Sequence, residues 1–489
     1  MRRTMLLALV GAILAGCGSD DDAAGMGDGW WPAPDGGAPW HGGEKYVHVG
    51  ENPFTDVTAD ALATFGVDVD TASYALMRRD VQGGFLPHPD GVRVEDYLNY
   101  FSYDYEPPAR DAFAIHLEAA PSPFGDGLHL LRVGLQARTV EDRGRANLVF
   151  LVDVSGSMAE ADKLPLVKET LRTLLDQLRP DDRVGIVVYS GSVGTLLEST
   201  PASERQKIAA AIDRLSAGGS TNGSGGIVAA YEMAEKGFDP QGINRVILAT
   251  DGDFNVGLFG DPLIDLIEEQ RETGIYLTTL GFGRGNYNHG QMERLANYGN
   301  GNYAYIDGEG EARRVVQRDL LSTMVVVAED AKVQVAFNPD VVRRYRLLGY
   351  ENRAIEDDDF VDDTVDTGDV GAGHDVTALL ELELHEEATA SAAELATVTV
   401  RYKDPGGEED HVLDRSLPAA DVRATFEEAS GATRFAAAVA EYAEILRNSQ
   451  FSEGARFADV REIVEPLVGT DPDRAELLEL IDLAASRRR

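Results

Sequence analysis

The sequence predicts an α/β protein with a doubly wound, mostly parallel central sheet, flanked by an antiparallel β unit and a C-terminal helical segment. Between residues 147 and 326, apolar runs of strand length alternate with segments whose apolar residues recur at spacings of three and four. This alternation is typical of β-α-β units, whose parallel strands are buried on both faces. Strand-like runs without helices between them lie on both sides of this centre.

The composition is that of a folded protein with a large excess of acidic residues. The chain of 489 residues is 43% hydrophobic and 26% charged, which excludes a disordered or collagen-like chain. Its 84 Asp and Glu residues outnumber 44 Lys and Arg residues and give a formal charge of −40. Because such a surface repels phosphate groups, nucleic acid is not an expected partner. The single cysteine, Cys17, excludes an intrachain disulfide.

The first segment has the pattern of a bacterial export signal. Two arginines precede the apolar run Met5–Leu14, which is too short to span a bilayer and ends in Leu14-Ala15-Gly16-Cys17. These four residues resemble the lipobox of bacterial lipoproteins, in which cleavage precedes the cysteine and its thiol receives a lipid. We therefore expect a lipid anchor on Cys17 and a location in the cell envelope, on the periplasmic or the outer surface of a membrane.

Changes in composition and periodicity divide the chain into six predicted segments. The Gly- and Asp-rich stretch after the signal has the composition of a flexible linker. The predicted segments are a lipoprotein signal peptide (1–16), a flexible tether (17–45), an N-terminal companion region (46–145), the central α/β domain (146–327), a β-rich region (328–420) and a C-terminal helical region (421–489).

The elements of the central domain follow from its apolar periodicity. The first strand is the continuous apolar run Leu148–Val152, and the next helix, from Leu164 to Leu178, has leucines at spacings of three and four. The later predicted elements are strand Val184–Tyr189, edge strand Gly194–Glu198, helix Ser203–Leu215, a helix ending near Lys236, strand Arg245–Thr250, helix Pro262–Thr273, strand Ile275–Leu280, helix Gln291–Asn297, strand Tyr303–Ile306 and a helix from Glu309 to about Val326.

The residue patterns on both sides of the central domain predict strands, and the pattern near the C-terminus predicts helices. We expect the flanking strands to join in one antiparallel β unit built from both sides of the central domain. The predicted strands are Phe113–Ala120, Leu128–Gln136, Lys332–Phe337, Arg343–Leu348, Val376–Leu384, Ala396–Tyr402 and His411–Leu417. Near the end, Phe435, Val439, Tyr442 and Leu446 share one helix face, and Asp471-Pro472 predicts the start of a last helix.

Oxygen-bearing side chains follow the predicted strand ends. Asp153, Ser155 and Ser157 occupy alternate positions of the turn after the first apolar strand. Gly218-Gly219-Ser220-Thr221 adds a hydroxyl on a glycine-rich loop, and Thr250-Asp251-Gly252 adds a carboxylate after another strand. In an open α/β sheet, ligands bind in the crevice at the carboxyl ends of the strands. Hydroxyl and carboxylate oxygens suit Mg²⁺, Mn²⁺ or Ca²⁺.

These motifs, in this order, resemble the metal-ion-dependent adhesion site of von Willebrand factor type A domains. The resemblance implies that Ser155, Ser157 and Thr221 ligate Mg²⁺ (or Mn²⁺ or Ca²⁺) directly, and that Asp153 and Asp251 bind it directly or through water. It also implies a protein partner that offers an Asp or Glu carboxylate to the same ion.

The wider chain is similar to bacterial von Willebrand factor A lipoproteins, some of which are labelled Ca-activated chloride channel homologues. The matching stretches are Val67–Tyr74, Asn99–Phe101, Thr250–Gly257, Gly299–Asp307 and Gly371–His374. We do not carry over the channel label, because the sequence after the signal has no apolar run of about 18 residues that would build a pore. We expect a non-catalytic binding protein.

Two alternatives remain open from the sequence. Asp68-Val69-Asp70-Thr71 spells the nucleophile motif of haloacid-dehalogenase-like phosphatases, and Gly260–Asp265 is similar to the Mg²⁺ motif of that class. The phosphatase interpretation requires an apolar strand before Asp68, and the segment Asp60–Gly66 is a poor one. In the second alternative, the flanking β unit is the main interaction surface of a scaffold, and the metal has a structural role.

Overall fold

The computed structural model describes residues 44–487 apart from 220–224, 253–260, 286, 321–323, 363–364, 366, 387, 391 and 408. The predicted signal peptide, the lipidation site Cys17 and the predicted ligand Thr221 lie outside the described residues. Within the described part of the chain, no helix combines the length and the apolar character needed to cross a bilayer.

The N-terminal region supplies four strands and two helices. Its elements are β1 (Thr55–Asp56), β2 (Leu62–Gly66), α1 (Ala72–Gln82), α2 (Val94–Tyr100), β3 (Phe113–Pro121) and β4 (Leu128–Ala137). Helix α1 is buried from Ala72 to Val81, on every side. Its residues Ala75 and Leu76 share an apolar cluster with Tyr303 and Tyr305 of the central domain, so α1 covers the edge of the central sheet.

The central domain is a six-stranded sheet with helices on both faces. Its elements are β5 (Ala146–Asp153), α3 (Leu164–Gln177), β6 (Arg183–Tyr189), β7 (Val193–Pro201), α4 (Arg205–Arg214), α5 (Gly226–Lys236), β8 (Ile243–Thr250), α6 (Asp261–Glu272), β9 (Tyr276–Phe282), α7 (His289–Tyr298), β10 (Tyr303–Ile306) and α8 (Glu309–Arg314).

The strand order of this sheet is β10-β9-β8-β5-β6-β7. Each strand runs parallel to its neighbours except β7, which is the antiparallel edge strand. The predicted doubly wound sheet is confirmed, and so is the edge strand. The predicted extension of the last helix to about Val326 is wrong, because α8 continues only as a π-helix over Val315–Leu320 and Val326 starts a strand.

The β-rich region contains six further strands. They are β11 (Val326–Phe337), β12 (Val342–Leu348), β13 (Val370–Gly371), β14 (Asp375–Leu384), β15 (Glu394–Lys403) and β16 (Asp410–Pro418). Strands from both sides of the central domain pair as predicted, with β4 beside β14. The interpretation of Asp60–Gly66 as a poor strand is wrong, because Leu62–Gly66 forms β2, which pairs with β11. The flanking strands form two antiparallel sheets where one unit was expected, in the orders β1-β12-β14-β4-β3 and β13-β11-β15-β16, with β2 added at β11.

The two antiparallel sheets share one apolar core. Leu131 and Leu380 of one sheet lie in the same cluster as Val333 and Val398 of the other. Because side chains alternate along a strand, Leu379 points to the opposite face, where it joins the core of the helical region. The first sheet is therefore buried on both faces.

Three C-terminal helices cover that outer face. They are α9 (Gly431–Leu446), α10 (Phe457–Val464) and α11 (Pro472–Arg487). The predicted apolar face of α9 is buried, with Phe435 and Tyr442 fully covered. The predicted start of α11 is also confirmed, because Oδ1 of Asp471 accepts hydrogen bonds from the backbone of Asp473 and Arg474.

Candidate metal centre

Three loops with predicted ligands meet at the carboxyl ends of neighbouring parallel strands. Asp153 is the last residue of β5, and Asp251 directly follows β8, the strand beside it. The loop before α5 joins them, because the amide of Gly218 donates to the carbonyl of Val154 (2.8 Å) and the amide of Gly156 donates to that of Gly219 (3.1 Å). Gly219 is the last described residue before the predicted ligand Thr221.

Asp153 is fully buried, and both of its carboxylate oxygens are held. Oδ1 accepts the amide of Ser155 at 2.8 Å, which closes the tight turn. Oδ2 accepts the hydroxyls of Tyr189 and Thr250, each at 3.1 Å. Burial raises the pKa of Asp153; the hydrogen bonds from Ser155 oppose this rise, and the charge of Asp251 adds to it. The side chain is therefore fixed in orientation at the base of the site.

The two predicted serine ligands face each other. Their hydroxyl oxygens lie 3.0 Å apart, with Ser155 buried and Ser157 exposed to solvent. A side chain at Gly156, between them, would bring its Cβ to 3.3 Å from the carbonyl of Gly219, so the loops approach closely. The two hydroxyl oxygens thus line one side of the site, which is accessible to solvent at Ser157.

Asp251 has one occupied and one free carboxylate oxygen. Oδ2 accepts a hydrogen bond of 2.9 Å from the ammonium of Lys163, and both side chains are almost completely buried. Oδ1 is buried and has no hydrogen-bond donor among the described residues. A buried acceptor without a donor is costly, so this oxygen is a ready ligand for a cation.

Sequence reasoning missed Lys163. The lysine lies just before α3, and a side chain on Gly283 would overlap it, so a glycine is needed where β9 ends. It is 88 positions from Asp251, and no local pattern marks it. Only the folding of two strand-end loops toward each other brings the pair together.

The described donors fit a hard divalent cation. They are two carboxylates and two hydroxyls, and the described part of the site includes no sulfur ligand. Two buried carboxylates with one ammonium leave a net negative charge, which favours a cation. Asp153, Ser155, Ser157 and Asp251 are therefore brought to one edge of the sheet.

The structure gives no support to the phosphatase alternative. A strand, β2, does precede Asp68, but it pairs antiparallel with β11 and lies outside the parallel sheet. The carboxylate of Asp68 is buried and accepts a hydrogen bond of 2.9 Å from Arg353, so it is not presented to a substrate.

Three family models match the chain. They are described as von Willebrand factor (residues 41–132), von Willebrand factor type A domain (residues 147–318) and Uncharacterized protein YfbK, C-terminal (residues 322–486). The type A match spans the six-stranded sheet and the candidate metal centre.

Individual relatives agree with these matches. The chain is 40% identical over 472 residues to Uncharacterized protein YfbK of Escherichia coli (strain K12), covering 91% of this chain and 81% of that protein. It is 31% identical over 179 residues to inter-alpha-trypsin inhibitor heavy chain H3 of Homo sapiens, covering 34% of this chain and 20% of that protein. A solved structure, von Willebrand factor type A from Catenulispora acidiphila, is similar with a TM-score of 0.45 and 15% identity, covering 76% of this chain and 89% of that one. The chain therefore belongs to the family of YfbK and carries a von Willebrand factor type A domain at its centre.

Proposed function

We propose that this chain is an envelope-anchored binding protein that captures a protein partner through a divalent cation held by Asp153, Ser155, Ser157, Thr221 and Asp251. The observation that carries the proposal is the free, buried Oδ1 of Asp251 at the same sheet edge as the paired serine hydroxyls. Mg²⁺ is the expected ion, with Mn²⁺ and Ca²⁺ as alternatives of the same chemistry.

The ligand chemistry favours binding of an acidic partner. Hydroxyl ligands are neutral, so an ion held by several hydroxyls keeps much of its positive charge and attracts a further carboxylate. The exposed position of Ser157 supports access from solvent. Type A domains commonly bind partners through such a site, and the partner expected here offers an Asp or Glu side chain.

The anchor and the location are separate parts of the proposal. They rest on the resemblance of Leu14-Ala15-Gly16-Cys17 to a lipobox. Several acyl chains on one cysteine hold a protein on a membrane more firmly than the marginal binding of a single chain. Labelling with a radioactive fatty acid is expected to mark the wild-type protein and not the variant Cys17→Ser; equal labelling of both would contradict the anchor.

The metal centre is tested with the double variant Ser155→Ala/Ser157→Ala in the full chain. Calorimetric titration with Mg²⁺ should show one ion fewer than in the wild type, and a pull-down in Mg²⁺ should lose the partner that the wild type captures. Ser203→Ala is the matched control, because this exposed serine follows β7 at the opposite end of the sheet. Capture that persists at full strength in EDTA would contradict the proposal and favour the flanking β sheets as the interaction surface.

A further inference from the structure

A second group of carboxylates is buried where the N-terminal region meets the central domain. Asp68 and Asp70 lie between β2 and α1, Glu95 and Asp96 lie on α2, and Glu293 lies on α7. One carboxylate oxygen from each of Asp68, Glu95 and Asp96 lies within 4.8 Å of the other two. The same holds for Asp68, Asp70 and Glu293, so Asp68 belongs to both triads.

The first triad is the more deeply buried. Asp68, Glu95 and Asp96 are 3%, 0% and 4% exposed. Backbone amides hold two of the carboxylates in place, because Ser73 donates to Oδ2 of Asp96 (2.8 Å) and Tyr350 donates to Oε2 of Glu95 (3.0 Å). The three side chains are therefore fixed near one another by the fold.

One oxygen of this triad lacks a donor within the described ranges. Oε1 of Glu95 is buried and accepts no hydrogen bond from any described residue, and the residue is completely covered. Its other oxygen, Oε2, accepts the amide of Tyr350, so Oε1 is the oxygen whose lone pairs meet no donor from the described part of the chain. A buried carboxylate oxygen without a donor, beside two further carboxylates, has the environment that a cation ligand requires.

The nearby positive charges do not balance the carboxylates. Arg353 donates to Asp68 at 2.9 Å and lies 3.7 Å from Asp70. Arg93 is also buried, and its guanidinium donates to the carbonyl of Val47. With all groups ionised, five carboxylates and two guanidinium groups leave three excess negative charges in a region that excludes water. One divalent cation would reduce this excess to one.

We propose that Asp68, Glu95 and Asp96 bind a hard divalent cation, Ca²⁺ by preference, at a site separate from the one at Asp153. All three ligands supply carboxylate oxygens, which Ca²⁺ accepts in flexible geometry and large number. The ion would join the segment before α1 to α2, next to the hydrogen bond of 2.8 Å that Asp70 accepts from the backbone of Tyr303 in the central domain. Its role is structural, since the ligands are shielded from solvent.

The test measures how many ions each full-length protein binds. Metal is first removed with EDTA, and Ca²⁺ or Mg²⁺ is then added back. We expect about two Ca²⁺ or Mg²⁺ ions per wild-type chain and about one in Ser155→Ala/Ser157→Ala. About one is also expected in Glu95→Gln, which keeps the size of the side chain, and none when the two changes are combined. Asp96→Asn provides a second variant with the same expectation. Glu441→Gln is the matched control, because Glu441 is also buried with an oxygen that lacks a donor but belongs to neither triad.

The dependence of thermal stability on Ca²⁺ gives an independent test, because a residue with only a packing role would not make the unfolding temperature depend on the ion. In EDTA, Glu95→Gln should unfold at or above the temperature of the wild type, because the amide removes one buried negative charge. In excess Ca²⁺ the order should reverse, since both proteins gain from binding at the Asp153 site but only the wild type gains from binding at the Glu95 site. Unchanged stoichiometry in both Glu95→Gln and Asp96→Asn would overturn the proposal. The proposal would also be overturned if Ca²⁺ did not stabilise the Ser155→Ala/Ser157→Ala variant, which keeps Glu95 and Asp96. That result would point to a proton shared among the carboxylates.

Discussion

The ammonium of Lys163 lies 2.9 Å from Oδ2 of Asp251, so a lysine of the chain itself neutralises a predicted metal ligand. Both side chains are buried, and Oδ1 of the same aspartate has no donor among the residues that the structure describes. An incoming divalent cation and the ammonium therefore act on one carboxylate. Because like charges repel most strongly where water is excluded, the lysine should weaken metal binding.

Replacement of Lys163 by methionine should separate the two interactions of Asp251, which are its ion pair with the lysine and its predicted binding of the metal ion. In EDTA, Lys163→Met is expected to lose about 3–5 kcal/mol of unfolding free energy, because a buried carboxylate is left without its partner. In Mg²⁺ about 1.4 kcal/mol of this loss should be recovered, because the ion should bind about tenfold more tightly to the variant than to the wild type. Urea unfolding and calorimetric titration measure the two effects.

The control for this prediction is Lys168→Met on α3, the helix that begins directly after Lys163. Lys168 donates only to the backbone carbonyl of Asp213 at the surface, so neither stability nor metal affinity should change appreciably. If Lys163→Met bound Mg²⁺ no more tightly than the wild type, competition between the ammonium and the ion would be excluded.

Arg78 links three regions of the chain through buried ion pairs. Its guanidinium contacts Asp307 (2.6 Å) and Glu311 (2.8 Å) of the central domain and Glu476 (3.1 Å) of α11. Arg78→Met removes the partner of the buried Asp307, while Glu311 keeps its contact with Arg314 at 3.4 Å, and we expect a loss of about 3–5 kcal/mol in urea unfolding. The exposed pair Arg313–Glu309 on α8 gives the control, since Arg313→Met should change stability by less than about 0.5 kcal/mol. If Arg78→Met and Arg313→Met lost the same unfolding free energy, burial of the Arg78 ion pairs would not be the reason for their effect on stability.

The same arginine shows why part of the fold escaped prediction. Helix α1 has no polar face, because Arg78, Arg79 and Asp80 are as buried as its apolar residues. Their partners include Asp307, which is 229 positions from Arg78, so no local pattern marks these charged residues as buried. The strands of the centre were predictable because apolar runs of that length identify buried parallel strands without knowledge of their partners.

The pairing of the flanking strands could not be read from the sequence. Periodicity indicates that a segment is a strand, but β2 pairs with β11 some 270 residues further along, and nothing local selects that partner. The candidate metal centre was more predictable, because its ligands follow strand ends that a parallel sheet brings to one edge. Lys163, Glu95 and Asp96 were missed, since their contacts depend on how separate regions pack.

A glycine in the central domain permits a close backbone approach. At Gly301, an added Cβ would overlap the backbone carbonyl of Leu277 on β9, which cannot move without breaking the sheet. Gly301→Ala should therefore cost about 3 kcal/mol or more. At Gly310 on α8 nothing lies within 4 Å of an added Cβ, so Gly310→Ala should be neutral or stabilise by up to about 1 kcal/mol. Thermal unfolding of both variants measures the contrast, and a stable Gly301→Ala protein would show that β9 can shift.

Glu441 should make the stability of the chain depend on pH. Burial raises the pKa of Glu441 to about 8, and the charges of Glu444 and Glu381 add to the effect. In the unfolded chain this pKa is about 4.3, so between these values the folded state binds the extra proton. The contribution of Glu441 to the free energy of unfolding is therefore fully present below about pH 4 and is lost as the pH rises toward about 8. Because Glu441→Gln cannot ionise, it should lose less stability than the wild type between pH 5 and 8, by on the order of 1–3 kcal/mol.

Urea unfolding of Glu441→Gln and the wild type at several pH values measures this difference, with the exposed Glu453→Gln as control. Identical pH profiles for Glu441→Gln and the wild type would mean that Glu441 ionises in the folded chain as it does in the unfolded one.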